Sequence, residues 1–133
     1  MKKRLLLATR PDVRPLALRA LADHFELEFC YNLSDAINAL GRGTDGVLCG
    51  LHFGEGEFFD FLQHAKSNPA TKAIPFFCLH GSEGSLSTPI QRSIEIATKA
   101  AGAERYIQIS KMRAELGDER AFEKIRGLIN ELV

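Results

Sequence analysis

Cys49 and His52 close one short apolar run and Cys78 and His80 close another, so two pairs of chemically able side chains stand near the ends of candidate strands. Thiolate and imidazole are the ligands zinc prefers, and a Cys-x-x-His beside a Cys-x-His is a conceivable soft-metal set. A histidine that accepts a thiol proton would instead make a cysteine nucleophile. Both chemistries need the four groups to converge, and strand geometry opposes that. Successive side chains of a strand point to opposite faces, so if Gly50 faces a crevice then Cys49 faces the layer behind it. Cys78 in turn lies a full residue pair below His80. The expectation is two small buried thiols acting as hydrophobes, with both histidines in surface or loop positions. No metal, cofactor or catalytic residue is expected, a metal site and a thiol enzyme being the lesser alternatives. The stretch "HGSEGS" at 80–85 has glycines without a following Lys-Ser/Thr, and reads as a connection rather than a phosphate cradle.

The elements that position these residues follow from apolar periodicity. "LLL" at 5–7 is the short continuous run of a central parallel strand covered on both faces. Val13, Leu16, Ala17, Ala20 and Leu21 then fall on one helical face behind Asp12 as cap. Phe25 to Phe29 reads as a second strand, and Ser34 as the cap of a helix through Ile37 and Leu40 that ends at Gly41 and Gly43. Gly46 to Leu51 is the third strand, followed by a helix carrying Phe58, Phe61, Leu62 and Ala65. Phe76 to Leu79 is the fourth. Thr88, Pro89 and Gln91 have the spacing of a capping box, opening a helix whose apolar side is Ile90, Ile94, Ala97 and Ala101 and which Gly102 closes. Tyr106 to Ile109 is the fifth strand, and Ala121, Ile125, Leu128, Ile129 and Leu132 mark a last helix capped near Asp118. Strict alternation of strand and helix implies parallel strands with right-handed crossovers, hence an α/β class protein built as a three-layer α/β/α sandwich.

Composition narrows the partners. A chain of 133 residues, 45% hydrophobic and 26% charged, suits one globular domain spanning 1–133. Seventeen basic residues balance seventeen acidic ones, and Lys2, Lys3 and Arg4 form the only tight basic cluster. Neither nucleic acid nor a membrane surface is therefore the expected partner. Three cysteines without a signal-peptide pattern point to a reducing, cytoplasmic setting, and no apolar stretch approaches the roughly 18 residues of a bilayer span.

The pattern resembles the receiver domain of bacterial response regulators, the chemotaxis-receiver or flavodoxin-like (βα)5 fold. The resemblance rests on "IPFFCLHG" at 74–81, on "AAGAERYIQIS" at 100–110, and on the ungapped fit of "RLLLATRPDVRPLALRAL" and "DGVLCG" to the family's first and third strands. It implies a five-stranded parallel sheet of order 2-1-3-4-5, with binding where the strands' carboxyl ends meet the switch point. It also implies a phosphorylation pocket: two acids after the first strand, an Asp ending the third, a Ser or Thr after the fourth and a Lys after the fifth. Here those positions hold Ala8 and Thr9, Gly50, His80 and Ile109. Magnesium takes oxygen ligands and an acyl phosphate needs a carboxylate nucleophile, so the pocket reads as degenerate. Asp45 opens the third strand and belongs to the opposite edge of the sheet, while Glu55, Glu57 and Glu83 occupy flanking loops.

The expected function is that of a stand-alone pseudo-receiver, an interaction module in two-component-type, phosphorelay-like signalling whose output comes through association with a signalling protein or with itself. The resemblance places the contact face on the fourth helix and fifth strand: Arg92, Glu95, Ile96, Lys99, Arg105, Tyr106 and Gln108. Tyr106 takes the family's switch-aromatic position, although a half-buried strand aromatic needs no such role. Phe59, off the apolar stripe of its helix, is a second candidate for exposure. The alternative function is a small-molecule or metal-binding domain using a crevice lined by Thr9, Gly50, His52 and His80. An open crevice would favour the ligand, and one plugged by Arg10, His52 or His80 the protein-binding role.

Overall fold

The computed structural model describes residues 2–81 and 88–133, the side chain of Thr88 excepted. The capping box at Thr88, Glu83 and most of the "HGSEGS" connection therefore lie outside the described residues.

Apolar runs too short for helices become the five strands: β1 (Lys3–Ala8), β2 (Phe25–Cys30), β3 (Gly46–Gly50), β4 (Phe76–His80) and β5 (Arg105–Gln108). All pair in parallel, in the order β2-β1-β3-β4-β5. The helices are α1 (Arg14–Leu21, after a 3₁₀ turn at Pro11–Val13), α2 (Leu33–Gly41), α3 (Phe58–Ser67), α4 (Thr88–Ala100), α5 (Ile109–Leu116) and α6 (Asp118–Asn130). The sheet is covered on both faces. Leu6, Ala8, Val47, Cys49, Phe76 and Cys78 point into a cluster with Ala36, Leu40, Phe58, Phe61 and Leu62 of α2 and α3. The alternate residues Leu5, Leu7, Leu48, Phe77, Leu79 and Ile107 meet Ala17, Leu21, Phe122, Ile125 and Ile129 of α1 and α6. The period-two alternation of each strand thus feeds two cores.

Polar contacts fix where elements begin. Lys66 Nζ, at the end of α3, reaches Glu104 Oε1 at 2.7 Å and the carbonyls of Lys72 and Ile74 at 3.0 and 2.9 Å. Glu104 Oε1 also accepts from the Phe76 amide at 2.8 Å, so one ion pair ties α3 to the entries of β4 and β5. At the sheet's amino edge Asp45 Oδ2 accepts from the Arg4 amide at 2.8 Å. Gly102 follows α4 at φ +113°, a conformation L side chains rarely adopt, which is why glycine stops this helix.

Several local expectations are corrected. Asn32, not Ser34, caps α2, its side chain accepting from the Asp35 amide at 2.8 Å. Asp12 lies within the 3₁₀ turn and makes no cap, and Asp118 is the first residue of α6 rather than its cap, its carboxylate drawn to Arg113 and Arg19 instead. Ile109 leaves the fifth strand to open α5, a helix the apolar pattern did not suggest. The sheet-facing stripe of α4 is also displaced. Thr98 is buried, with Gln91, Ile94 and Glu95 half-buried, whereas Ile90, Ala97 and Ala101 are exposed. Thr98 tolerates burial because its hydroxyl donates to the Glu95 carbonyl at 2.9 Å.

Among the described residues no helix is long and apolar enough to cross a membrane.

Candidate functional site

At the carboxyl edge of the sheet, β1 and β3 run out side by side. Ala8 pairs with Cys49, which brings Thr9 beside Gly50. The chain after β3 turns at once, with the Leu51 amide donating to Leu79 O and the Phe53 amide to Gly50 O, each at 2.9 Å. Between this turn and the segments following β1 and β5 lies an open cleft of about 450 Å³. Thr9 and Gly50 lie at its floor, with Arg10, Asp12, His52, Ile109, Ser110 and Arg113 around them. It is not plugged. A Cβ at Gly50 would have the Thr9 Cα as its nearest neighbour, at 3.8 Å, so a larger side chain is sterically admissible there.

Of the five positions that the resemblance assigns to a phosphorylation pocket, Thr9, Gly50 and Ile109 line this cleft. Ala8 points instead into the core beneath α2 and α3. His80 does not line the cleft either, and its burial at the end of β4 corrects its expected surface position, while His52 is exposed. The alternation that separates Gly50 from Cys49 also separates the cleft from His80. The only carboxylate among the described lining residues is Asp12, which faces Arg10 Nε at 3.5 Å. Neither Glu55 nor Glu57 lines the cleft.

A second polar cluster, which His52 joins to the cleft, gathers at the end of β4. His80 Nδ1 and the Tyr106 hydroxyl share a hydrogen bond of 2.5 Å, its donor set by the imidazole tautomer. The His52 ring meets that of His80 at 6.2 Å, edge to face. Burial, helped by His52, lowers the His80 imidazole below its ordinary range, and burial first, then Cys78 and Glu95, pushes the Tyr106 phenol up to about 12. Both groups are therefore uncharged at neutral pH.

Cys49 and Cys78 are partners across β3 and β4, both fully buried. Burial raises the Cys49 thiol well above its usual range and pushes Cys78 up to about 12. Metal ligands and nucleophiles are thiolates, so these thiols suit neither role. No group of three His, Cys, Asp or Glu among the described residues is placed to hold a metal ion.

The residues assigned to partner contact form a mixed surface. Ile96 is 62% exposed, with Arg92 exposed nearby, and Lys99 pairs with Glu95 at 2.9 Å. Arg105 reaches Glu131 at 3.5 Å, and Tyr106 and Gln108 are half-buried. Phe59 is exposed on α3. Sequence reasoning missed Arg113 and Ser110 as cleft residues because it missed α5. The spacing of Ile109, Met112 and Leu116 was the available clue.

A doubly wound five-stranded sheet of this order defines the flavodoxin-like, chemotaxis-receiver class of fold. Solved structures of response regulators share it. The phosphorylated cyanobacterial phytochrome response regulator RcpA matches with a TM-score of 0.74 at 19% identity, covering 99% of this chain and 94% of its own. A putative response regulator from Chloroflexus aurantiacus J-10-fl matches at 0.73 and 16% identity, over 98% and 99% of the two chains. The chemotaxis response regulator CheY4 of Vibrio cholerae matches at 0.71 and 16%, over 97% and 99%. No family model matches the sequence, and no curated protein does.

Proposed function

We propose that this protein is a receiver-fold module of bacterial two-component-type signalling that works in the cytoplasm by binding another protein, without being phosphorylated and without enzymatic activity. One observation carries the reading: the exits of β1 and β3 hold Ala8, Thr9 and Gly50, none of which can accept a phosphoryl group as a carboxylate would, and the single carboxylate among the described lining residues, Asp12, faces Arg10. The His80–Tyr106 hydrogen bond supports it, since it holds the strand aromatic in place with no phosphoryl group to recruit it. The partner face consists of Arg92, Ile96 and Lys99 on α4 with Arg105, Tyr106 and Gln108 on β5, Glu95 orienting Lys99. Ile96 supplies exposed apolar area that a partner or a second copy would cover.

Two measurements test this. Incubation with acetyl phosphate and magnesium should leave the intact mass unchanged, and a base-labile phosphoprotein mapped near Gly50 would overturn phosphorylation independence. A partner captured from the native cell by the wild-type chain should be lost with Ile96→Asp. Undiminished capture by that variant, with the chain still folded, would remove α4 as the contact face.

A further inference from the structure

We propose that His52, His80 and Tyr106 form a proton-operated latch that regulates the β5 part of the partner face, closed while the His80 imidazole is neutral and opened by acid. The regulatory sense rests on the partner role proposed above, whereas the latch itself stands on geometry. His80 closes β4 at 3% exposure, with Nδ1 2.5 Å from the Tyr106 hydroxyl and its ring 5.9 Å from the phenol ring, centre to centre. It also meets the ring of His52 at 6.2 Å, edge to face. His52 is exposed and lines the cleft. One buried imidazole thus touches a phenol and a second imidazole, and no carboxylate among the described residues bonds to any of the three rings.

The neutral ring suits this setting. A neutral imidazole has one donor and one acceptor nitrogen, so the Tyr106 hydroxyl donates to a bare Nδ1 or accepts from a protonated one. Gain of a proton makes both nitrogens donors and puts a cation where water is nearly absent. None of the titratable or charged groups described around it can neutralise that cation. Tyr106 on β5 keeps its proton, Cys78 on β4 is a buried thiol pushed up to about 12, and His52 after β3 can add only like charge. Glu95 on α4 acts on Tyr106 and is already paired with Lys99 at 2.9 Å. Relief lies outward. β4 ends at His80, the following Gly81 is exposed, and β5 is the outer strand of the sheet, so the imidazolium reaches water by turning away and leaves the half-buried Tyr106 hydroxyl to solvent. The proton is then a ligand of the open form, and the open-to-closed ratio rises up to about tenfold for each pH unit below the folded pKa. Tyr106 shares its strand with Arg105 and Gln108, so opening alters that part of the face.

The test is NMR on the intact chain with no partner present, so failure of the α4 contact face would leave its outcome untouched. Between pH 7.5 and 4.5 the His80 ring should titrate with a midpoint below 6.5, and NOEs between the His80 and Tyr106 rings should vanish in step while the amide spectrum stays dispersed. In His52→Gln the midpoint should rise, the repelling ring being gone. In His80→Gln the Tyr106 ring shifts should no longer follow pH. A His80 ring that does not titrate in this range, NOEs that persist after it has titrated, or collapse of the amide dispersion in step with their loss would overturn the proposal. So would an unmoved midpoint in His52→Gln or an unchanged Tyr106 response in His80→Gln.

Discussion

The Tyr106 hydroxyl lies 2.5 Å from Nδ1 of His80, joining the middle of β5 to the end of β4. Tyr106→Phe removes one partner and strands the other inside the protein. A loss of about 1–2 kcal/mol is expected from urea unfolding, larger than deletion of an exposed hydroxyl would cause. A variant as stable as the wild type would show that the bond does not hold the aromatic.

The same histidine gives a pH dependence. Its folded imidazole titrates below the unfolded value near 6.5, because burial and the neighbouring His52 disfavour its charge. The unfolded chain therefore binds more protons as acid is added, and stability declines as pH falls below about 6.5, levelling off beneath the folded pKa. Urea midpoints at pH 7.5 and 5.5 should separate in the wild type and separate less in His80→Gln.

Gly50→Asp is expected to fold. The position does not carry a positive φ and the new Cβ meets nothing closer than 3.8 Å, so stability should stay within about 1 kcal/mol of the wild type. Phosphorylation should not return, because Ala8 and Thr9 still offer no anionic ligand for magnesium. Intact mass after acetyl phosphate treatment reads the outcome directly.

Lys66→Met leaves Glu104 without its cation, and the carbonyls of Lys72 and Ile74 without a shared donor. The pair is partly exposed, at 15% and 31% of the two side chains, so the cost should fall near 2 kcal/mol rather than at the upper end for buried pairs. Thermal unfolding of Lys66→Met and Glu104→Gln should show both destabilised and the double variant less than additive.

The three cysteines should be silent in the native protein. Cys30, Cys49 and Cys78 are buried and free, with thiols raised by burial. A thiol reagent at neutral pH should label them only slowly until urea unfolds the chain, then all together. Rapid native labelling of Cys49 would reopen thiol chemistry at the strand ends.

How far the sequence carried these conclusions depends on the range of the forces involved. The LLL run, the alternation through "DGVLCG" and the helical spacing of Phe58, Phe61, Leu62 and Ala65 reflect local geometry, and the observed strands and helices agree with them to within a residue or two. Caps were less legible. Asn32 and Ser34 are both competent, and only the path from β2 decides which side chain meets the Asp35 amide. Helix α4 was misjudged because its most apolar stripe is not the one the sheet edge receives, a choice made by packing against β5.

Residue types alone determined that the β1 and β3 exits lack carboxylates, since no fold can supply an oxygen that Ala8 and Gly50 do not have. Tertiary structure decided what stands there instead. The pairing of β4 with β5 set His80 against Tyr106, and α5 brought Arg113 over Thr9 and Gly50, residues more than sixty and more than one hundred positions apart in the chain. Such juxtapositions arise from crossovers and packing between distant segments, for which no local spacing carries a signal.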